Sequence, residues 1–340
     1  MELCTLGSST VFAQQSSTLD LGLAKRVLAS AARYAAILGT DAAEAALWAE
    51  ISAGLAPLPI TTTPTATATD TGRIPSSSAS TPTTSARPVQ SVPAATAAQW
   101  VFAETNVTTG SAFGANAWYP VDYYAAVHPG SAVGLDTRIA DQELFQLAKQ
   151  TVASINGRTG WIPESGAQMA WIAAVRLGWN ATDFVLAAGG ALAAGGQYPS
   201  LYGIDGGGGL ETTGMTLAVN EMLLQSHERG LRFFPVWDPA RPVSFTTLRT
   251  VGAFLVSGRL SPAAATSAAA TNAVVHAEIV SEVGEVCTIY GSSGGRPRVV
   301  VSGSEVPVAI VFSTDKPFTF SFNTTAGTVY ALAMTYEGIL

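Results

Sequence analysis

The stretch GIDGGGGLETTGMTLAVNEMLLQSH, residues 203–227, decides how this chain is read. Four consecutive glycines, Gly206 to Gly209, deliver Glu211 to the start of an apolar, periodic segment. Glycine tolerates positive φ and has no Cβ, so a run of this kind brings backbone close to a ligand. Met215, Leu217, Val219, Met222, Leu223 and Leu224 then recur at roughly helical spacing. This predicts a helix from Thr212 to His227, with Thr212 or Thr213 as N-cap. Glu211 falls at or just before its first turn, where the positive end of the helix dipole favours a carboxylate. From these residues alone Glu211 is either an ordinary helix-start acid or a carboxylate presented to a ligand.

Working upstream, Leu21, Leu28, Ala32, Ala35 and Leu38 share one face of a helix over Asp20 to Leu38, stopped by Gly39. Asp41 with Glu44 reads as a capping box for a second helix ending at Gly54, and the pair forms a helical hairpin. From about Thr61 to Ala98 the composition turns to Thr, Ser, Pro and Ala, too polar and breaker-rich to bury a face. It reads as a disordered insertion within a folded domain or as an interdomain linker. Helical patterns return at Asp136 to Ala153, Glu164 to Leu177 and Thr182 to Leu192, joined by aromatic loops such as FGANAWYPVDYYAAVHPG and GGQYPSLYG.

Working downstream, the pattern changes after Arg229 to period two. Leu231 to Val236, Ala253 to Leu260, Val274 to Ser281, Arg298 to Val301, Pro307 to Phe312, Phe318 to Phe322 and Val329 to Met334 predict an antiparallel sandwich. The chain is therefore expected to be α first and β second. The expected organisation is a disordered N-terminus at 1–18, a helical domain at 19–58 and 99–228 interrupted by a disordered Thr/Ser/Pro-rich insertion at 59–98, and a β-sandwich at 229–340.

Bulk properties narrow the function classes. With 340 residues and 48% hydrophobic content, the chain can bury a substantial core in about two domains. A net charge of -7 without any basic cluster argues against a nucleic-acid partner. Cys4 and Cys287 are too few for a disulfide framework, and His128, His227 and His276 lack metal-ligand spacing. We expect no cofactor and no transition-metal site, and calcium stays open. No run of about 18 apolar residues exists to span a membrane. The N-terminus lacks a secretory leader, which means either no export or a chain that begins inside a longer product. Localisation stays unknown. The sequons at Asn106, Asn180 and Asn323 count only if the chain is exported.

The string NEMLLQSHERGLRFFPVWDPARPVSFTTLRTVGAFLVSGRL, Asn220 to Leu260, resembles the end of the catalytic domain and the C-terminal domain of glycoside hydrolase family 95, the α-L-fucosidase-like enzymes. VHPGSAVGLDTRIADQELFQLAKQTV, Val127 to Val152, is similar to the family's P-G loop and the barrel helix after it, and Leu19 to Leu58 to the segment preceding it. The resemblance implies a partial (α/α)6 toroid, of the six-hairpin glycosidase type, followed by a small antiparallel β-sandwich. It implies hydrolysis of α-linked fucose or galactose-type residues of glycans by an inverting acid/base mechanism. The family's general acid, a glutamate from the upstream toroid, has no counterpart here. A catalytically incompetent remnant or a carbohydrate-binding module is the alternative. Members of the family are often secreted, vacuolar or periplasmic.

Inverting hydrolysis needs one protonated carboxyl at the leaving oxygen and a base on the opposite face. The family's late carboxylate precedes the E-M-L-L-Q-S-H helix, which implies Glu211 first and Asp205 second as catalytic residues. His128, before Pro129 and Gly130, is a candidate sugar contact or a loop-packing imidazole. Trp118, Tyr123, Tyr124, Trp161 and Tyr202 are candidate stacking platforms for pyranose rings, or packing anchors. Tyr119, Asp122, Tyr123 and Tyr124 replace the family's R-H-x-S-H-like pattern, which leaves the sugar open. Glu221 reads as a buried structural acid that needs a partner. His227 reads as a helix-end imidazole. Phe233, Phe234 and Trp237 are expected to weld the sandwich to the last helix.

Overall fold

The computed structural model describes residues 2–5, 11–14, 18–62, 100–102, 124–159, 168–186, 213–228, 230–263, 273–291, 297–313 and 316–336. Helices dominate the first two thirds and antiparallel sheets the last third. Helices α1 (Thr18–Leu38) and α2 (Ala42–Gly54) form the expected hairpin. The capping box expected at its start is not made. Asp41 sits in the left-handed region at φ 52 without a side-chain cap bond, and its carboxylate instead accepts from Thr40 Oγ1 at 3.2 Å.

Two segments expected to be disordered carry short strands. In the N-terminal segment, β1 (Glu2–Thr5) pairs with β2 (Val11–Gln14). At the edge of the Thr/Pro segment, β3 (Ile60–Thr62) pairs with β4 (Trp100–Phe102), so a ribbon closes its base. Backbone pairing of this kind needs only two extended segments brought together, which composition does not reveal. The rest of that segment lies outside the described residues.

The helix expected over Asp136 to Ala153 is split. A single turn, α3 (Thr137–Ala140), ends at Asp141, whose carboxylate then accepts from Leu144 N at 2.9 Å and caps α4 (Gln142–Thr159). α5 (Gln168–Arg176) follows, then α6 at 181–186, whose start is capped by Asn180 Oδ1 accepting from Thr182 N at 2.7 Å. α7 (Thr213–Leu223) stops four residues earlier than periodicity predicts. Leu224–Gln225 leaves it as strand β5 and pairs with β6 (Arg232–Phe233). His227 therefore lies past the helix and does not cap its dipole.

The remaining strands are β7 (Val243–Thr250), β8 (Phe254–Ser261), β9 (Val274–Ser281), β10 (Cys287–Tyr290), β11 (Arg298–Val301), β12 (Ser304–Glu305), β13 (Ala309–Ser313), β14 (Lys316–Phe322) and β15 (Val329–Thr335). They form a six-stranded antiparallel sheet in the order β12-β11-β15-β9-β8-β7 and a three-stranded one in the order β10-β14-β13. Period two is clearest in β8, where Phe254, Val256 and Leu260 point inward between exposed or half-buried neighbours. Alternation missed β7 because it is an edge strand with a bulge between Phe245 and Leu248, where Thr247 takes φ 55. Residues of both sheets bury one shared core: Val256, Ile279, Val299 and Leu332 from the larger, Cys287, Ile289, Phe320 and Phe322 from the smaller. Burial pushes the free Cys287 thiol up to about 12, so it is an inert core group.

Two further clusters hold the helices. One gathers Tyr124, Val127, Val133 and Leu135 from the loop before α3 with Phe145, Ala148 and Val152 of α4 and Ala173, Ala174 and Leu177 at α5. The other joins Trp171 and Val175 of α5, Phe184 of α6, and Ala218 and Met222 of α7 to Val236. Trp237 packs against this second cluster and against the sheet core. Phe234 N donates to Leu223 O at 2.9 Å and Ala181 N to Val236 O at 3.0 Å, so the F-P-V-W step bonds the sheets to two helices. Among the described residues no helix is long and apolar enough to cross a membrane.

α1 reaches the rest through a glycine contact. A Cβ on Gly130 would lie 2.8 Å from Gly22 O of α1 and overlap the Ala125 carbonyl oxygen, both backbone atoms that cannot rotate aside. The loop that carries Pro129 and Gly130 is thus sterically constrained at Gly130. Gly130→Ala is expected to destabilise the fold by about 1–3 kcal/mol, the usual range for an inserted group in a packed site. Urea unfolding followed by circular dichroism measures it; an unchanged midpoint would show that α1 is free to move off the loop.

Candidate functional site

The end of α5 and the middle of α7 build a buried polar cluster. Arg176 terminates a run of small and apolar residues, MAWIAAV, so its aliphatic stem is carried into the interior with the helix. Its guanidinium donates through Nη2 to Glu221 Oε1 at 2.6 Å and through Nη1 to Ser131 Oγ at 3.1 Å and Val127 O at 3.3 Å. The side chains of Arg176 and Glu221 are 7% and 19% exposed. Such a pair persists in a low-dielectric site because each charge is the other's compensation.

His227 and His128 complete the cluster. His227 Nδ1 lies 3.4 Å from Glu221 Oε2 without hydrogen-bonding geometry. Burial holds this imidazole below its usual range, against the pull of Glu221, so it is neutral. Burial also drives His128 down to about 4, with Arg176 adding to the shift. For Glu221 burial works the other way, but the His227 and Arg176 contacts override it and hold the carboxyl at about 2. At neutral pH the cluster thus carries one cation, one anion and two neutral imidazoles. His128 Nδ1, Glu221 Oε2 and both ring nitrogens of His227 are buried and find no hydrogen-bond partner among the described residues. An unpaired buried polar atom is unfavourable, so the cluster carries a local desolvation cost that the Arg176–Glu221 pair offsets only in part.

A second polar cluster lies where the helices meet the sheets. Arg232 of β6 donates through Nη2 to Asp136 Oδ1 and, at 3.1 Å, to Glu228 Oε2. The guanidinium also stacks 3.8 Å above the Tyr290 ring of β10. Gly230 makes room, since a Cβ there would lie 2.7 Å from that ring. Leu231 N to Thr288 O at 2.8 Å and Tyr290 N to Leu231 O at 2.9 Å fix the same corner to the smaller sheet.

Of the residues singled out in the sequence, His128 stands at the edge of the first cluster. Tyr124 is 1% exposed inside the helical core, so its ring packs rather than offering a stacking surface. Glu211, Asp205, Trp118, Tyr123, Trp161 and Tyr202 lie outside the described residues. Glu221 is the structural acid expected, and its partner is Arg176. Sequence reasoning missed Arg176, Asp136, Arg232 and Tyr290. The one available signal was an arginine closing an apolar helix, which has to find a carboxylate. Among the described residues no group of His, Cys, Asp and Glu is arranged to hold a metal.

No protein-family model matches the chain, and a search of the curated proteins finds no match either.

Proposed function

We propose that the chain is the later part of a family 95-like glycoside hydrolase, acting on α-linked fucose or galactose-type residues of glycans. One observation supports this most. The two segments that carry the resemblance, 127–152 and 220–260, lie about 70 residues apart at their nearest ends yet pack on one another through Asp136, Glu228 and Arg232, with Arg176 joining Val127 to Glu221. In this reading α1 with α2, and α4, α5 and α7, are helices of an α/α toroid, and the two sheets form its C-terminal sandwich.

In the proposed reaction a water attacks the anomeric carbon on the face opposite the leaving oxygen. Glu211, or Asp205 in second place, takes its proton; a carboxylic acid from outside the matched segments protonates the leaving group. His128, neutral at physiological pH, supplies a hydrogen bond to a sugar hydroxyl, and Trp118, Tyr123, Trp161 and Tyr202 supply stacking faces. Glu221 takes no direct part, because Arg176 occupies it.

Hydrolysis of aryl α-L-fucoside and aryl α-galactoside tests this. Glu211→Gln is expected to lower the rate by about 10²–10⁴-fold, the range for loss of a general base. A variant as fast as the wild type would remove Glu211 from the mechanism. Glycan binding without hydrolysis by the wild type would select a binding module instead.

A further inference from the structure

We infer that Asp136 holds a proton in the folded junction, and that this proton closes a pH-dependent clasp between the helices and the sheets. The Tyr290 hydroxyl oxygen lies 2.5 Å from Asp136 Oδ2 and 2.7 Å from the Glu228 carbonyl oxygen. A phenol has one hydrogen to donate, and a carbonyl can only accept. If Asp136 is ionised, one of these two short contacts sets lone pair against lone pair. If Asp136 Oδ2 is protonated, it donates to Tyr290, Tyr290 donates to Glu228 O, and both contacts are hydrogen bonds.

Charge bookkeeping leads to the same state. Asp136 approaches from the loop before α3, Glu228 from the turn after β5, Arg232 from β6 and Tyr290 from β10. His227, next to Glu228, is held neutral by burial. One guanidinium therefore faces two carboxylates. Glu228 already accepts from Arg232 Nη2 through Oε2 and from Asp136 N through Oε1 at 3.2 Å. A neutral Asp136 leaves one cation matched by one anion; an ionised one leaves an uncompensated, partly buried negative charge.

Burial and the Glu228 charge raise Asp136 from 3.8 to about 6, against the opposing pull of Arg232 and Tyr290. A carboxyl raised on folding contributes stability that is complete below its unfolded value and is lost as pH rises through its folded value. The clasp is thus tight at pH 5 and loosened at pH 7.5. The Asp136 side chain is 31% exposed, which lets the proton exchange with solvent. What the clasp governs is the loop that carries His128, since that loop ends at Asp136.

Hydrogen exchange of the whole chain, corrected for the intrinsic pH dependence of exchange, tests the clasp. Peptides covering 130–137 and 228–233 are expected to open about three- to tenfold more often at pH 7.5 than at pH 5, the upper figure being the full effect of a carboxyl raised from 3.8 to about 6 and the lower one allowing for the exposure of Asp136. The β9 peptide is expected to keep its protection at both pH values. In Asp136→Asn the amide donates to Tyr290 at every pH, so the junction peptides stay protected throughout. Tyr290→Phe removes the shared hydroxyl and is expected to bring protection at pH 5 down to the level at pH 7.5. The clasp is refuted if Asp136→Asn keeps the wild-type step, if Tyr290→Phe keeps it, or if junction and β9 peptides change together.

Discussion

Replacing Arg176 with methionine is expected to destabilise the protein by about 3–5 kcal/mol, the typical result of removing one partner from a buried ion pair. Methionine preserves the bulk of the stem, so the loss reports charge and hydrogen bonding. Glu221 would be left ionised and buried, while Ser131 Oγ and Val127 O would lose their donor. Urea unfolding gives the size. The double variant Arg176→Met, Glu221→Leu is expected to recover most of it, since an apolar pair carries no desolvation penalty. If the double variant is as unstable as the single one, the loss comes from packing. The pH dependence supplies a second check. In the wild type Glu221 is depressed from 4.5 to about 2, so its contribution is present above pH 4.5 and lost as pH falls toward 2. In Arg176→Met the main cation holding it down is gone, and this acid-sensitive contribution is expected to shrink.

Phe234→Ala is expected to cost about 3–5 kcal/mol through the cavity it leaves. The side chain is fully buried, with its ring 5.5 Å from Phe245 and 6.4 Å from Phe233 by centroids. Its backbone is bonded on both sides: its N–H donates to Leu223 O, and its carbonyl accepts from Tyr336 Oη at 2.5 Å. A void there lies between the last helix and the sheet core, so both parts should lose stability in one transition. Unfolding followed separately by far-ultraviolet circular dichroism and tryptophan fluorescence distinguishes the cases. Two separated transitions, with the sheet part unaffected, would show that Phe234 is not the weld.

Much of the fold was legible because periodicity is a local property. Val274 to Ser281 and Arg298 to Val301 were read with the bounds the strands have, the first because one of its faces is apolar and the other carries His276 and Glu278, the second because it is a short run of β-branched valines. Periodicity overran at Thr212 to His227, where apolar spacing continues past the true end of α7 at Leu223. Leu224 is apolar for helix and strand alike, and only its pairing with Phe233 resolves which it joins. The edge strand β7 was invisible for the opposite reason, its bulge having broken the alternation. The candidate site was less legible. Glu221 could be recognised as an acid requiring a partner, but Arg176 lies 45 residues away and Asp136 lies 96 residues from Arg232.

From its sequence alone the chain is committed to helices followed by strands, to a net negative charge, and to the inward faces of strands such as β8 and β9, because the spacing of apolar residues sets those locally; Leu38, Leu217 and Val219, on the faces expected to be buried in the helices, are exposed. Only the tertiary structure decides which charges meet. Ion pairs and shared protons depend on distances of a few ångströms between residues far apart in the chain. Burial then sets the charge of His128 and Asp136, while the neighbours Arg176 and His227 keep Glu221 ionised, and both are properties of the packed molecule and of no single residue.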